Sequence, residues 1–398
     1  MSTTQVRLEI RESAGGLRRA AAGVGIPVGV VVVVLALAVG LRLSAYRGEL
    51  TGLVQFGSSQ AHVTHPPRGA PILSPTGYDG QFFYLQARDP LLLHDSTVRA
   101  LRATGSGFRM QRAAYPALAF LLAGGRSSKV PLALLLANLL VLVGLATGFA
   151  FYARRRGWST GWTVALALMP GMLLPVFRDL SDPLAVTSLV AGILCWSHRR
   201  RWPAALALTV AVLTREVMML AVVAIAVEAG VGRWRERGSG TGRRQAFAQA
   251  WPVILIPSAA FAVWQAYITV RYGGPVGGAP LNLPLTNLVQ EVRRAWRGYR
   301  PMAIWDTAYV VLIVAAVISA GVSLRRRVTV TSLAACAVSL GILVPALGDA
   351  WSDTRLSAPL FALLLLDGLQ HGCRRNLSVG AAAAAMTIFI PLAIPGAF

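Results

Sequence analysis

The chain has 398 residues, 55% of them hydrophobic and only 14% charged, with a mean hydropathy of +0.58. Soluble domains carry about 25% charged residues, so the composition excludes an ordinary soluble protein and points to one membrane-embedded unit, 1–398. The net charge of +22, from 38 Lys and Arg against 16 Asp and Glu, does not argue for nucleic acid. The arginines cluster at the ends of apolar runs, where they set orientation and meet anionic headgroups.

Residues 1–25 are polar and basic and are expected to form a cytoplasmic N-terminal segment. The apolar run 26–43 is too long for a signal-peptide core and lacks a small-residue cleavage site, so it reads as a retained first helix. A span needs about 20 apolar residues. Candidate spans are 26–43, 130–152, 158–176, 184–197, 202–214, 216–231, 251–270, 304–324, 328–347, 357–371 and 377–395. The expected fold class is therefore an all-α polytopic membrane protein with about eleven transmembrane helices. Basic clusters follow the even-numbered spans: Arg154 to Arg156, Arg199 to Arg201, Arg233 to Arg244, Arg325 to Arg327, and Arg374 with Arg375. Eleven spans put every cluster in the cytoplasm and leave the C-terminus outside. Reading 202–231 as one long helix would break that pattern, so two short helices turning near Thr214-Arg215-Glu216 are expected.

The largest outer loop, 44–129, is too long to be a mere connector. It holds a Pro-rich stretch, then Tyr78-Asp79-Gly80-Gln81-Phe82-Phe83-Tyr84, then a short apolar segment from Tyr115-Pro116 to Ala123 that is expected to lie in the interface. A second outer loop covers 271–303. Three scattered cysteines, Cys195, Cys336 and Cys373, give no disulfide framework or zinc site.

Five places could carry chemistry. Asp79 lies among aromatics; it suits a general base toward an acceptor hydroxyl, or equally a turn Asp before glycine. Tyr78, Gln81 and Tyr84 beside it are candidate substrate contacts, the rings being suited to stacking on sugar faces. Phe177-Arg178-Asp179-Leu180-Ser181-Asp182-Pro183 links two apolar runs. Asp182-Pro183 reads as a helix start, whereas Arg178 and Asp179 must face protein or a water-filled cavity. Arg215 and Glu216 are charges at membrane depth; Arg215 either binds a phosphate or pairs with Glu216. Asp353 and Arg355 lie in the short outer loop before the tenth span; Arg355 could clamp a phosphate, or Asp353 could neutralise it. His62 and His65, with His94-Asp95 nearby, form a weak metal motif, because a loop lacks the fixed face of a helical pair. No phosphate loop or dinucleotide fingerprint occurs.

This layout resembles the GT-C superfamily of membrane glycosyltransferases, which use polyprenyl-phosphate sugars. The resemblance rests on Asp79 in the loop after the first helix, and on the Pro-led segment Tyr115-Pro116-Ala117-Leu118 followed by Gly125-Arg126. It rests also on Thr214-Arg215 at a helix turn and on the Arg355 to Pro359 spacing near the C-terminus. It covers most of the chain as topology and a few short motifs as sequence. It implies transfer of a sugar from a polyprenyl-phosphate carrier to a glycan, lipid or protein acceptor on the extracytoplasmic face. Asp79 would be the base, Arg355 and Arg215 the carrier-phosphate ligands, and Arg178 and Asp179 secondary contacts. A divalent cation, Mg or Mn, stays open. The Arg/Ala/Gly/Val-rich composition points to the plasma (inner) membrane of a bacterium. Two other classes compete: a lipid or glycolipid transporter or flippase, which should show inverted repeats and polar residues spread through several spans, and a non-catalytic scaffold of an envelope-assembly complex.

Overall fold

The computed structural model describes residues 3–105, 107–235, 240–276, 293, 296–298, 300–343 and 350–393. In chain order its principal elements are α1 (Thr3–Ala45), β1 (Phe56–Gly57), β2 (Ile72–Ser74), α2 (Gly80–Arg88), α3 (Asp95–Ala103), α4 (Ala114–Leu122), α5 (Val130–Arg155) and α6 (Trp162–Leu168). There follow α7 (Asp182–Ser197), α8 (Arg201–Thr214), α9 (Met219–Arg235), α10 (Gly240–Tyr272), α11 (Arg300–Arg326), α12 (Val330–Leu343), α13 (Ala350–His371) and α14 (Arg374–Ala385). The fold is thus almost all-α, as expected, and its two short parallel strands pair Phe56 with Ile72.

The count of about eleven spans is not met. Among the described residues, 4 helical segments are long and apolar enough to cross a bilayer: Gly23–Ala45, Ser127–Arg155, Ala250–Tyr272 and Pro301–Arg326. Their outward faces are apolar. Ile304, Val311 and Ile318 recur at seven-residue spacing on α11, and Ile26, Val33, Leu37 and Leu41 are exposed on α1. Such faces fit a lipid bilayer and a multi-pass membrane protein.

Most of the other candidate spans are shorter or broken, and α13, which holds the expected span 357–371, has 22 residues but carries Asp353, Arg355 and Asp367. Asp182–Ser197, Arg201–Thr214 and Val330–Ile342 are apolar but short; a helix of fourteen residues rises about 21 Å, less than the roughly 30 Å of hydrocarbon. The expected span 158–176 is three pieces: α6, a turn at Pro170–Leu173, and a 3₁₀ turn at Leu174–Arg178. Pro170 and Pro175 remove ladder donors there and prevent one continuous helix. The segment expected at 377–395 changes from α14 to a 3₁₀ turn at Met386–Phe389. Most of the 271–303 loop and the end of the 328–347 run lie outside the described residues.

Two local expectations do match. The chain turns between α8 and α9, with Arg215 extended at φ −148° and a 3₁₀ turn at Glu216–Met218. The Pro-led segment of the large loop forms α4, with Leu121 exposed and Tyr115 fully buried. Tyr115 donates to the Leu134 carbonyl at 3.0 Å and accepts from Asn138 at 2.9 Å, which fixes α4 on α5. Beyond these expectations, Arg156, Arg199 and Arg201, from two of the arginine clusters, line one cavity together with His371.

Helices α7, α8 and α13 position the site. They bring Asp182, Arg215 and Arg355 together at one end of the bundle. The large loop packs over this end through α2 and the 3₁₀ turn Gly107–Gln111. Gly80, the first residue of α2, makes that seating feasible: a Cβ there would run into the Arg178 and Val54 carbonyl oxygens.

Candidate functional site

Asp79 immediately precedes α2 and is held by three guanidinium groups. Its Oδ1 accepts from Arg109 Nε at 2.8 Å and Nη2 at 2.5 Å. Its Oδ2 lies 3.3 Å from Arg355 Nη2 and 3.7 Å from Arg112 Nη1. Burial by itself pushes the Asp79 carboxyl up, but Arg109, Arg355 and Arg112 outweigh it and hold the group well below the ordinary carboxylate range.

Arg355 links this loop to the helices. Its Nε donates to Asp182 Oδ2 at 2.9 Å and its Nη1 to the Tyr78 hydroxyl at 3.1 Å. Asp182 Oδ1 in turn pairs with Arg215. Arg112 reaches Glu216 with two contacts, at 3.2 and 3.3 Å. Among the described residues, Arg109, Arg112, Arg215 and Arg355 thus interlock with Asp79, Asp182 and Glu216. The Arg112, Arg215 and Arg355 side chains are each 7% exposed or less. Guanidinium groups in so poorly solvated a place interact strongly with any anion that reaches them.

Two clefts meet at Asp79. One, of about 180 Å³, is lined by Arg112, Arg215, Arg355 and Glu216 together with apolar Val217, Ile342 and Leu356. The second, of about 520 Å³, is lined by Tyr78, Thr76, Gln60, Thr104 and Arg109. Asp79, Phe108, Ser352 and Arg355 belong to both walls. The first cleft thus mixes charged and apolar side chains, whereas the second is mostly polar and aromatic.

The residues singled out from sequence separate into two groups. Asp79, Tyr78, Arg215, Glu216 and Arg355 come together. Arg178 stacks on Tyr78 and Trp351, 4.2 and 3.5 Å from the ring centroids, so it braces the site from behind. Gln81 is fully buried and pins the loop: it accepts from the Gly57 N–H at 3.2 Å and donates to the Thr76 carbonyl at 2.9 Å. Tyr84 packs edge-on against Phe56, away from both clefts. Asp179 is fully buried in a left-handed conformation (φ 47°), its carboxylate oxygens accept no hydrogen bond, and burial pushes its carboxyl well up. Asp353 and Arg355 lie not in a loop but in the first turns of α13. The carboxylates on Arg355 are those of Asp79 and Asp182, so Asp353 is not its neutralising partner in the clefts.

Three site residues escape the sequence reading. Asp182 looks like a helix start and does open α7, but its carboxylate bridges Arg215 and Arg355 instead of capping the helix. Arg109 and Arg112 lie at the end of a long loop with no apolar run to mark them. Their spacing of three is the available signal, because side chains three apart align on a 3₁₀ turn. Arg109 is further steadied by Phe82 and Phe108, 4.5 and 4.4 Å from its guanidinium.

The residues present do not fit a resident metal. Among the described residues no group of three His, Cys, Asp or Glu side chains converges, and the site carboxylates are held by arginines. His62 and His65 are both exposed, and His94 pairs with Asp89 at 3.2 Å. No protein-family model, curated protein or solved structure matches the chain.

Proposed function

We propose that this protein is a GT-C-type glycosyltransferase that moves a sugar from a polyprenyl-phosphate carrier to a hydroxyl of a glycan, lipid or protein acceptor. The observation that carries the reading is the position of Asp79 on the wall common to an arginine-lined, apolar-sided cleft and a polar one. The first cleft suits a phosphate with a lipid tail. The second suits a polyol acceptor.

In this reading the acceptor hydroxyl gives its proton to Asp79 as its oxygen bonds to the anomeric carbon. The bond from that carbon to the phosphate oxygen breaks, and the electron pair leaves with the polyprenyl phosphate. Arg112, Arg215 and Arg355 offset the charge that builds on the leaving phosphate, and in a poorly solvated cleft such preorganised cations act strongly. Asp79 then returns its proton to water.

The test is sugar transfer from synthetic polyprenyl-phosphate donors by the purified protein in lipid. Wild type forms donor-dependent product, and Asp79→Asn lowers turnover by about 10²–10⁴-fold while still binding donor. Full turnover in a folded Asp79→Asn variant would remove Asp79 as the base. Absence of binding and consumption of every donor in a broad panel would favour a transporter or a scaffold.

A further inference from the structure

The opposite end of the same three helices carries a second basic cleft. Helix α7 runs from Asp182 at the site to Ser197, α8 from Arg201 to the Arg215 turn, and α13 from Arg355 to His371. Fifteen residues of helix separate the two ends by about 22 Å. There, a cavity of about 440 Å³ is lined by Arg156, Arg199, Arg201, Trp158, Trp196 and His371. We infer that this cavity binds the phosphate headgroup of an anionic glycerophospholipid. The inference does not depend on the role of Asp79.

Three observations support it. First, arginines outnumber carboxylates on the cavity wall: Arg156, Arg199 and Arg201 line it with one acid, Glu228. Glu228 accepts from Trp196 Nε1 at 2.8 Å and from the Val330 N–H at 3.1 Å. Asp367 is taken by Arg327, by Asn376 at 2.6 Å and by His371 at 3.2 Å. Glu228 keeps its charge but is turned toward the neutral Trp196 and Val330 donors, and the arginines outnumber it on the wall. Arg156 meets the His198 ring at 2.6 Å, and Tyr152 beneath it contacts both Trp158 and His198 edge-on. That holds Arg156 in place before any ligand arrives.

Second, Arg199 sits at φ +58°. Glycine is the residue that suits such a position just after a helix. An arginine there accepts backbone strain, which is a mark of a functional side chain when the local structure enforces it. The turn is enforced by hydrogen bonds from the Arg199 N–H to the Trp196 carbonyl at 2.9 Å and from the Arg200 N–H to the Cys195 carbonyl at 2.8 Å.

Third, the level of the cavity identifies the source of the phosphate. Arg156 directly follows the apolar segment Ser127–Arg155, so the cavity lies where that segment meets the headgroups. Trp158 and Trp196 line it, and Trp202 lies against Trp251 beside it, with ring centroids 5.8 Å apart. Tryptophan concentrates at that level of a membrane, and basic pockets between helices there take anionic headgroups.

Native mass spectrometry of the full chain tests this, with phosphatidylglycerol and phosphatidylcholine of identical acyl chains at equal concentration. Wild type retains phosphatidylglycerol preferentially, and an excess of inorganic phosphate does not remove it. Arg199→Gly and Arg156→Gln each lower the preference about fivefold, the effect of one basic residue near anionic lipid. Arg199→Gly keeps or raises the melting temperature in neutral lipid, which separates lost binding from lost folding. The double variant Arg325→Gln/Arg326→Gln removes two exposed charges outside the cavity and keeps the wild-type preference. Equal retention of both lipids by wild type overturns the inference. So does an equal loss in the Arg325/Arg326 variant, which would mean diffuse attraction only. Displacement by inorganic phosphate would assign the cavity to a free anion and overturn it as well.

Discussion

Asp79 is a carboxylate whose ionisation is set by its neighbours. Its folded pKa lies below the unfolded value, since Arg109, Arg355 and Arg112 outweigh burial. Its ionisation therefore contributes stability above the unfolded value of about 3.9, and that contribution is lost only as pH falls through the lower folded value. Arg109 makes the two shortest contacts to Asp79. Arg109→Gln is expected to move the acid limb of the melting-temperature profile to higher pH, toward the range of an ordinary aspartate. A profile unchanged from wild type would show that Arg109 does not set the ionisation. At this scale the sequence singles out Arg215 because isolated charges at membrane depth are costly, Asp79 because it lies among aromatics in the large loop, and Arg355 because it stands at the mouth of an apolar run; the three lie in one cluster. The sequence reading passed over Arg109 and Arg112 because charges in a polar loop are ordinary. It passed over the bridging role of Asp182 because an Asp-Pro helix start already accounts for the residue.

The elements were legible to different degrees, and the differences have physical causes. Hydropathy locates apolar runs but not the breaks within them. Pro170 and Pro175 turn one expected span into three short pieces, and α8 is a real helix too short to cross alone. The Thr214 turn was legible because charge placement demanded it. Glycine at the α2 start was not, since its need arises from the distant Arg178 and Val54 carbonyls. Gly80→Ala is expected to destabilise the protein by about 1–3 kcal/mol through overpacking and to unseat Asp79 from the helix end. Thermal melting in lipid checks the first effect, and donor binding checks the second. A melting temperature within error of wild type would mean that the loop shifts at little cost.

Across the whole molecule, positive charge gathers at both ends of α7, α8 and α13, but in different settings. At one end the arginines are buried and interlocked with Asp79, Asp182 and Glu216. At the other they line a cavity together with Trp158, Trp196 and a single acid, Glu228, which accepts from Trp196 and the Val330 N–H. The bundle between them is apolar, so each end meets its own partners without mixing them.

The wall common to the two clefts has a kinetic consequence. In the arrangement described, both oxygens of Asp79 are already receiving guanidinium hydrogens, so the group is poorly placed to take a proton. A phosphate entering beside Arg112 and Arg355 competes for those same hydrogens and loosens their hold on Asp79. For the proposed transfer, this predicts a compulsory order in which the donor binds first and the acceptor second. Initial-rate and product-inhibition patterns with both substrates varied would reveal it: the released polyprenyl phosphate should compete with the donor and not with the acceptor. Random-order patterns would mean that Asp79 is available before the phosphate arrives.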